Sequence, residues 1–473
     1  MAIPNISQIG QSGLKAAKAG ISTAGHNIAN ASNEGYSRQR VLTESSTPTG
    51  NSFGKNFFGT GTSVARVERV NDEYVEKQIR NANRDLAHFE EKDLVLNQIE
   101  EVFNEMGGDG LNRLISKFFN DFRKLSDQPE STAFRNVVRD AGQALTKEFH
   151  RIDKQMSEIR EHLDSRIESA VSEANALAKD VADLNEQIRL QEVQGGSPND
   201  LLDKRDETVK KLSAYMELGS FKDSHGSISL DIKGIGPLVS GSRSESLGVV
   251  RSARDHQGKA EGSLDIVTSG SAHGTITHQI RGGKIGALLE IRDQQISSVM
   301  GRLDEMAYGI SEAINAVHSQ GFTLDGRTGV AFFEPTELRG ASRTLEVSEE
   351  VRSDVRAIAT AAEPDSPGDN RIALAITQLQ GEKFLGAMGS TVDEWYSSVV
   401  SEVGSQSSHN KFALSREKDI VTQLGRVRDQ ISGVSVDEET THLLEFQHAF
   451  EASAKVIQIA DEMLKTILSL KRD

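Results

Sequence analysis

Any chemistry in this chain would have to start from its histidines, paired carboxylates and glycine-rich turns. His442 and His448 stand six residues apart, and His273 and His278 five. Neither spacing converges on a metal as a four-residue helical step does, so both pairs read as helix-surface or turn histidines. Cysteine is absent, which removes thiol catalysis, disulfides and thiolate-bound zinc in one step. In IKGIGPLVSG the glycines Gly234, Gly236 and Gly241 miss the dinucleotide spacing, and no lysine follows for a phosphate loop. FGTGTSVAR fails the same test. In NASNEGYSRQRV, Asn30, Ser32, Glu34 and Gly35 fall at positions one, three, five and six of a calcium loop, but position twelve is Val41 instead of a bidentate carboxylate. Glu90 with Glu91, and VDEE at 436–439, lie on helical patterns and read as solvated faces or a helix start, not as a glycosidase pair. Trp395, the only tryptophan, reads as core. No catalytic residue, metal ligand or cofactor site is assigned, and the expectation is a protein that is not an enzyme.

Composition narrows the partners. Net charge is −16 with 5% aromatic residues, which argues against a general grip on nucleic acid. No run approaches the roughly 18 to 20 apolar residues a spanning helix needs. MAIPNISQIGQSGLKAAKAG also lacks the basic start and apolar run of a secretory signal.

The elements that would position anything are long helices. Ile3, Ser7, Gly10, Leu14, Ala17, Ile21, Ala24 and Ile28 alternate steps of four and three, a thin apolar face on one terminal helix. Leu443, Phe446, Phe450, Ser453, Ile457, Ala460, Leu464 and Ile467 form a fuller seam at the other end, after Ser435 as cap and Asp437, Glu438 and Glu439 in the first turn. So little area against so much backbone to order predicts tails that order fully only against further partners. NIANASNEGYSRQR, with its asparagines and Gly35, reads as a helix exit and turn, and Tyr36 as a peg.

SFGKNFFGTGTSVARVERV reads as an extended segment or hairpin. Helices are expected over about 71–105, ended by GGDG, and over 111–125. A rod of about 60 residues follows between Pro129 and Pro198, with no compact mate. Pro198 opens the next helix, with Asn199 or Asp200 as cap. Alternating stretches broken by Gly and Ser after Glu217 predict a small antiparallel β unit. A helix returns from GGKIGALLEIRD through NAVHSQG, and another spans about 380–430. The expected class is α+β, mainly α. It comprises terminal coiled-coil helices (1–45 plus 432–473), a long-helix rod domain (46–216 plus 284–431) and an inserted β domain (217–283).

The small-residue start with HNIANASNEGYSRQ resembles the signature of bacterial flagellar axial proteins, with His26 where the first asparagine is usual. GGSPNDLLDKRDETVKKLS, GGKIGALLEIRD, LDEMAYGISEAINAVHSQGFTLDGRTG and the closing GVSVDEETTHLLEFQHAFEASAKVIQIADEMLKTILSL look like segments of the hook-associated protein 1 family, in matching order along nearly the whole chain. The resemblance implies a structural subunit at the junction of hook and filament, exported unfolded by the flagellar type III apparatus and extracellular in its final place. It implies self-association through Leu14, Ala17, Ile21, Ala24, Asn27, Ile28, Asn30, Gly35, Tyr36 and Arg38, with Arg40 beside them seating the connector against neighbours. The implied partners are the hook subunit, a second hook-associated junction protein and a cytoplasmic export chaperone, the last at Leu443, Phe446, Phe450, Ile457, Leu464 and Ile467. A hook or other axial subunit is the nearest alternative. An intracellular coiled-coil scaffold is one of a different class.

Overall fold

Small and apolar residues from the first turn build α1 (Ile3–Ala29), which Asn30 ends by turning its side-chain amide onto the His26 carbonyl at 2.9 Å. The computed structural model describes residues 3–47, 49–50, 57–103, 110–222, 226–251, 264–268 and 274–470. The expectations at His273, at 104–105 of the helix expected to 105, at 107–109 of GGDG and at 52–56 of the hairpin lie outside those residues. The chain then forms β1 (Gln39–Ser45), β2 (Thr49–Gly50), β3 (Phe57–Phe58) and β4 (Thr62–Arg69), nested antiparallel pairs in which β1 meets β4 and β2 meets β3. Asp72 opens α2 (Glu73–Phe103), its Oδ1 accepting from the Tyr74 amide at 2.8 Å.

Helix α3 (Leu111–Asp127) buries Phe118, Phe119 and Phe122; Phe118 meets Phe332 edge to face, and the Phe118 and Phe122 centroids lie 5.1 Å apart. Helix α4 (Thr132–Val193) has 62 residues and so runs about 90 Å. The expected rod is present but is not unmated. One stripe from Val138 to Ile188 is buried along its length, against α3 first, then α5 (Asn199–Ser213) and the elements that follow. Neither Asn199 nor Asp200 caps α5; Pro198 holds the cap position without a side-chain bond. Both side chains instead reach the connector. Asn199 Nδ2 donates to the Val67 carbonyl at 3.0 Å and Asp200 accepts from Gln39 Nε2 at 2.9 Å.

The β insertion comprises β5 (Leu218–Lys222), β6 (Ile228–Ile232), β7 (Gly236–Ser240) and β8 (Arg243–Ser244) in one antiparallel meander, and β9 (Leu247–Arg251) with β10 (Leu264–Thr268) in a second pair. Two asparagines on α4 hold these sheets. Asn185 Nδ2 donates to the Ile228 and Gly241 carbonyls, both at 2.8 Å, and Asn175 bonds the Leu247 amide and carbonyl.

The returning helix is broken in two: α6 (Gly283–Glu290), a π-helical turn over Ile291–Ile296, then α7 (Ser297–His318). Buried Arg292 occupies that turn and reaches Asp164 Oδ1 and the Leu264 carbonyl, both at 2.7 Å. After α8 (Ala341–Thr344), α9 (Glu349–Ser353) and α10 (Arg371–Gln378), a Thr391/Glu394 capping box starts α11 (Val392–Ser432), so the helix expected from 380 begins twelve residues later. Trp395 is half-buried: its Nε1 donates to the Arg302 carbonyl at 3.0 Å and the Arg302 guanidinium lies 5.0 Å from its ring. Helix α11 runs antiparallel to α2, with Arg428 on Glu76 and Lys411 on Glu100. Helix α12 (Val436–Leu470) then returns along α1. The molecule is mainly helical, with long terminal helices packed together and small antiparallel sheets inserted.

One buried titratable group sets a pH dependence. His318 is fully buried; its Nε2 accepts from the Ala359 amide at 2.8 Å, so Nδ1 carries the proton and donates to the Val330 carbonyl at 2.7 Å. Burial pushes the imidazole down to about 4. The unfolded chain therefore binds a proton that the folded chain does not between about pH 6.5 and 4. This contribution is intact above pH 6.5 and declines at about 1.4 kcal/mol per unit as pH falls through that window. Urea midpoints measured from pH 7 to 4.5 should fall less steeply in His318→Gln than in the wild type; parallel slopes would refute the assignment.

Candidate assembly site at the joint of the terminal helices

Where α1 meets α12, the contact is set by missing side chains. The helices run antiparallel, so Gly10 lies against Ile457, Gly13 against Ser453 and Gly20 against Phe446. A Cβ on Gly10 would come 2.6 Å from Ile457 Cγ1, and one on Gly20 would come 2.4 Å from Phe446 Cδ1. Glycine here permits close approach of two helices. The α1 seam is Gly10, Gly13, Ala17, Gly20, Ala24 and Asn27, on steps of three and four. Of the residues expected there, Ala17 and Ala24 are buried, while Leu14, Ile21 and Ile28 flank the seam half-exposed. On α12, Leu443, Phe446, Phe450 and Ile457 are half-buried along the contact and Ala460 is buried. Leu464 and Ile467, on the same stripe, are 36% and 52% exposed. With Gly10 opposite Ile457, α1 has only about two turns left to cover them.

At the other end of the pair the seam terminates in a buried amide. Asn27 is 1% exposed and uses its full hydrogen-bonding capacity. Its Nδ2 donates to Glu439 Oε2 and to the Gln39 carbonyl, both at 2.9 Å; its Oδ1 accepts from Tyr36 Oη at 2.7 Å and the Gln39 amide at 2.9 Å. Four bonds from one side chain thus tie α1 to the connector and to α12. Burial, and then the carboxylates of Asp200, Asp203 and Glu439, push the Tyr36 hydroxyl well above the usual phenol range and keep it a donor. Gly35 makes the turn at φ +85°, and the His26 ring meets Tyr36 edge-on at 5.6 Å while its Nε2 lies 3.2 Å from Asp200.

The connector is also fastened outward. The Arg38 amide donates to the Ser432 carbonyl at 2.8 Å and its guanidinium reaches Glu438 at 3.2 Å. The Ser37 amide donates to Asp203, which also receives Arg69 at 2.7 Å; burial pushes the Asp203 carboxyl up, and Arg69 opposes that shift. Arg40 pairs with Glu68 at the surface. A crevice of about 790 Å³ separates the connector from α2 and α11, with Asn33, Asn83, Gly425 and Arg428 on its walls. Among the described residues no group of His, Asp or Glu is arranged to hold a metal ion. The arrangement is built to fasten segments, and nothing at the joint converges on a reacting atom.

The structure therefore joins Asn27, Asn30, Gly35, Tyr36 and Arg38 in one joint, and leaves Leu464 and Ile467 outside the helix pair. Sequence reasoning missed Gly13, Gly20 and Glu439 as contact residues. The spacing of Gly10, Gly13, Ala17, Gly20 and Ala24 was the available signal for the first two.

Residues 96–333 match the family described as the flagellar hook-associated protein FlgK helical domain, just over half of the 473 residues. Residues 428–470 match the flagellar basal body rod FlgEFG protein C-terminal family. The chain is 28% identical to flagellar hook-associated protein 1 of Bacillus subtilis strain 168, over 96% of both chains. It is 24% identical to flagellar hook-associated protein 1 of Salmonella typhimurium, over 97% of this chain and 98% of that one. The solved structure of the flagellar hook junction protein FlgK from Burkholderia pseudomallei superposes with a TM-score of 0.66 at 16% identity, covering 75% of this chain and all of that one.

Proposed function

The chain belongs to the flagellar hook-associated protein FlgK family, and from that membership we propose how its parts serve a structural junction between hook and filament. It is a structural component of the extracellular flagellum and not an enzyme, and it associates with flagellar axial components. The terminal pair, 1–45 with 432–473, is the polymerising part that lies innermost. The long helices of 46–216 and 284–431 stand outside it, and the sheets of 217–283 are outermost. The hook subunit adjoins one side of a ring of copies and a second hook-associated protein the other. Before assembly, the α12 stripe is held by an export chaperone and passes through the type III apparatus.

One observation carries this reading: the apolar stripe of α12 is left uncovered over its final turns, with Met463, Leu464, Ile467 and Leu468 exposed. A helix face of that kind suits docking in a groove or against parallel neighbours. Cells carrying Phe450→Asp with Leu464→Asp should make hooks but no filaments, with unpolymerised filament subunit in the medium. Normal filaments would remove α12 from the assembly interface. Loss of hooks as well would favour a hook subunit over a junction protein.

A further inference from the structure

Away from the joint, a cavity of about 320 Å³ opens between the first turns of α2, the end of α5 and strand β5. Its rim carries two aromatic side chains turned to solvent, Tyr74 at 69% and Phe221 at 65% exposure. Its wall carries Lys77, Arg80 and Lys222 beside Glu73, Glu76 and Asp206, so the formal charges balance. The pairing does not. Glu76 is taken by Arg428 at 2.9 Å, Asp206 by Arg69 at 3.0 Å and Glu73 by Lys222. The side chains of Lys77 and Arg80 make no hydrogen bond or ion pair with the described residues. Arg80 is half-buried, and burial draws its guanidinium below the usual value, with Asp206 and Glu76 only partly opposing. A desolvated guanidinium without an acceptor is costly, and an incoming anion relieves that cost.

We propose that this socket receives an acidic side chain of an adjacent copy of the chain, its carboxylate held by Arg80 and Lys77 and its aliphatic stem covered by Tyr74 and Phe221. The charge of the chain selects the occupant. At −16 per copy, packed copies repel one another, and a recess with two unpaired cations is a place where a neighbour's acid turns repulsion into attraction. Donor and acceptor surfaces differ, so the contact is head-to-tail and compatible with closing a ring. The proposal rests on the assembly reading above.

The test places the photo-reactive residue p-benzoylphenylalanine at Phe221 in the full chain, irradiates purified hooks with their attached junctions, and maps the linked peptides. The expected product links two copies, with an Asp or Glu in the captured peptide. Adding Arg80→Gln and Lys77→Gln should lower its yield by about tenfold, as loss of charge-assisted bonds does. The same substitutions should not lower the monomer's thermal midpoint, since neither side chain holds a partner within the chain and Arg80→Gln removes a desolvated charge. A cross-link to a different axial subunit, no cross-link with the chain in place, or a yield indifferent to the two substitutions would each overturn the proposal. Absence of the chain from the hook preparation would overturn the assembly reading itself, and the proposal with it.

Discussion

Replacing Asn27 with leucine should destabilise docking of the terminal helix pair by about 3 to 5 kcal/mol, the largest effect of any single substitution in the joint. The reason lies in what the substitution leaves behind. Glu439 is 3% exposed, and Asn27 Nδ2 is its hydrogen-bond donor across the seam. The Tyr36 hydroxyl and the Gln39 amide lose their common acceptor at the same moment. A buried carboxylate stripped of its donor costs far more than the bond between them contributes, because its desolvation is no longer compensated. That asymmetry gives the test its sharp form: Asn27→Leu with Glu439→Leu should recover much of the loss, since both sides of the seam are then apolar. Slow amide exchange at Gln39 and the urea midpoint of the terminal pair are the readouts. An unfolding free energy from those midpoints within about 0.5 kcal/mol of the wild type would show that the amide is not the anchor. A polar residue at one seam position also sets register, and the double variant should therefore regain stability while losing a single helix alignment.

The same residue shows where sequence reasoning reached and where it stopped. NIANASNEGYSRQ was legible as a helix exit because Asn and Gly act locally, within a turn. Its partner Glu439 lies 412 residues away, and no local pattern announces that meeting. On α12, Leu443, Phe446, Phe450 and Ile457 were legible as the contact face because large apolar side chains on a heptad mark it, whereas Leu464 and Ile467 continue the pattern and stay exposed. On α1 the period was legible but the face was turned by one position at alternate steps. Leu14, Ile21 and Ile28 carry the apolar area, yet the closest approach falls where there is no side chain, at Gly13 and Gly20. Asn199 and Asp200 followed local capping statistics on paper and were drawn in the structure to the connector, a tertiary bond outweighing a local one. The π-helical turn at Ile291–Ile296 shows in the sequence only as a step of five between the buried Ile291 and Ile296, where the steps on either side are three.

That displaced face leads to the second large effect, in which one substitution made at two glycines of the same helix should have opposite signs. Alanine is favoured over glycine inside a helix by about 0.8 to 1 kcal/mol. At Gly25 an added Cβ meets nothing within 4 Å, so Gly25→Ala should gain roughly that amount. At Gly20 the Cβ would fall 2.4 to 2.6 Å from three atoms of the Phe446 ring, inside any real contact distance. The helices must part or the ring must leave its position, a change that costs about 1 to 3 kcal/mol and outweighs the propensity gain. Gly20→Ala should therefore loosen the pair, and Gly20→Leu should separate it and leave cells with hooks but no filaments. Shortening the opposing side chain in Gly20→Ala with Phe446→Leu should restore part of the loss, because it reopens the space the methyl needs. Protease resistance of α1 in the purified monomer, compared across the four variants, measures the pairing apart from assembly. If Gly20→Ala and Gly25→Ala both stabilise, the seam is wider than Gly10, Gly13 and Gly20 indicate, and the close contact that orients α12 along α1 is lost as an explanation for the joint.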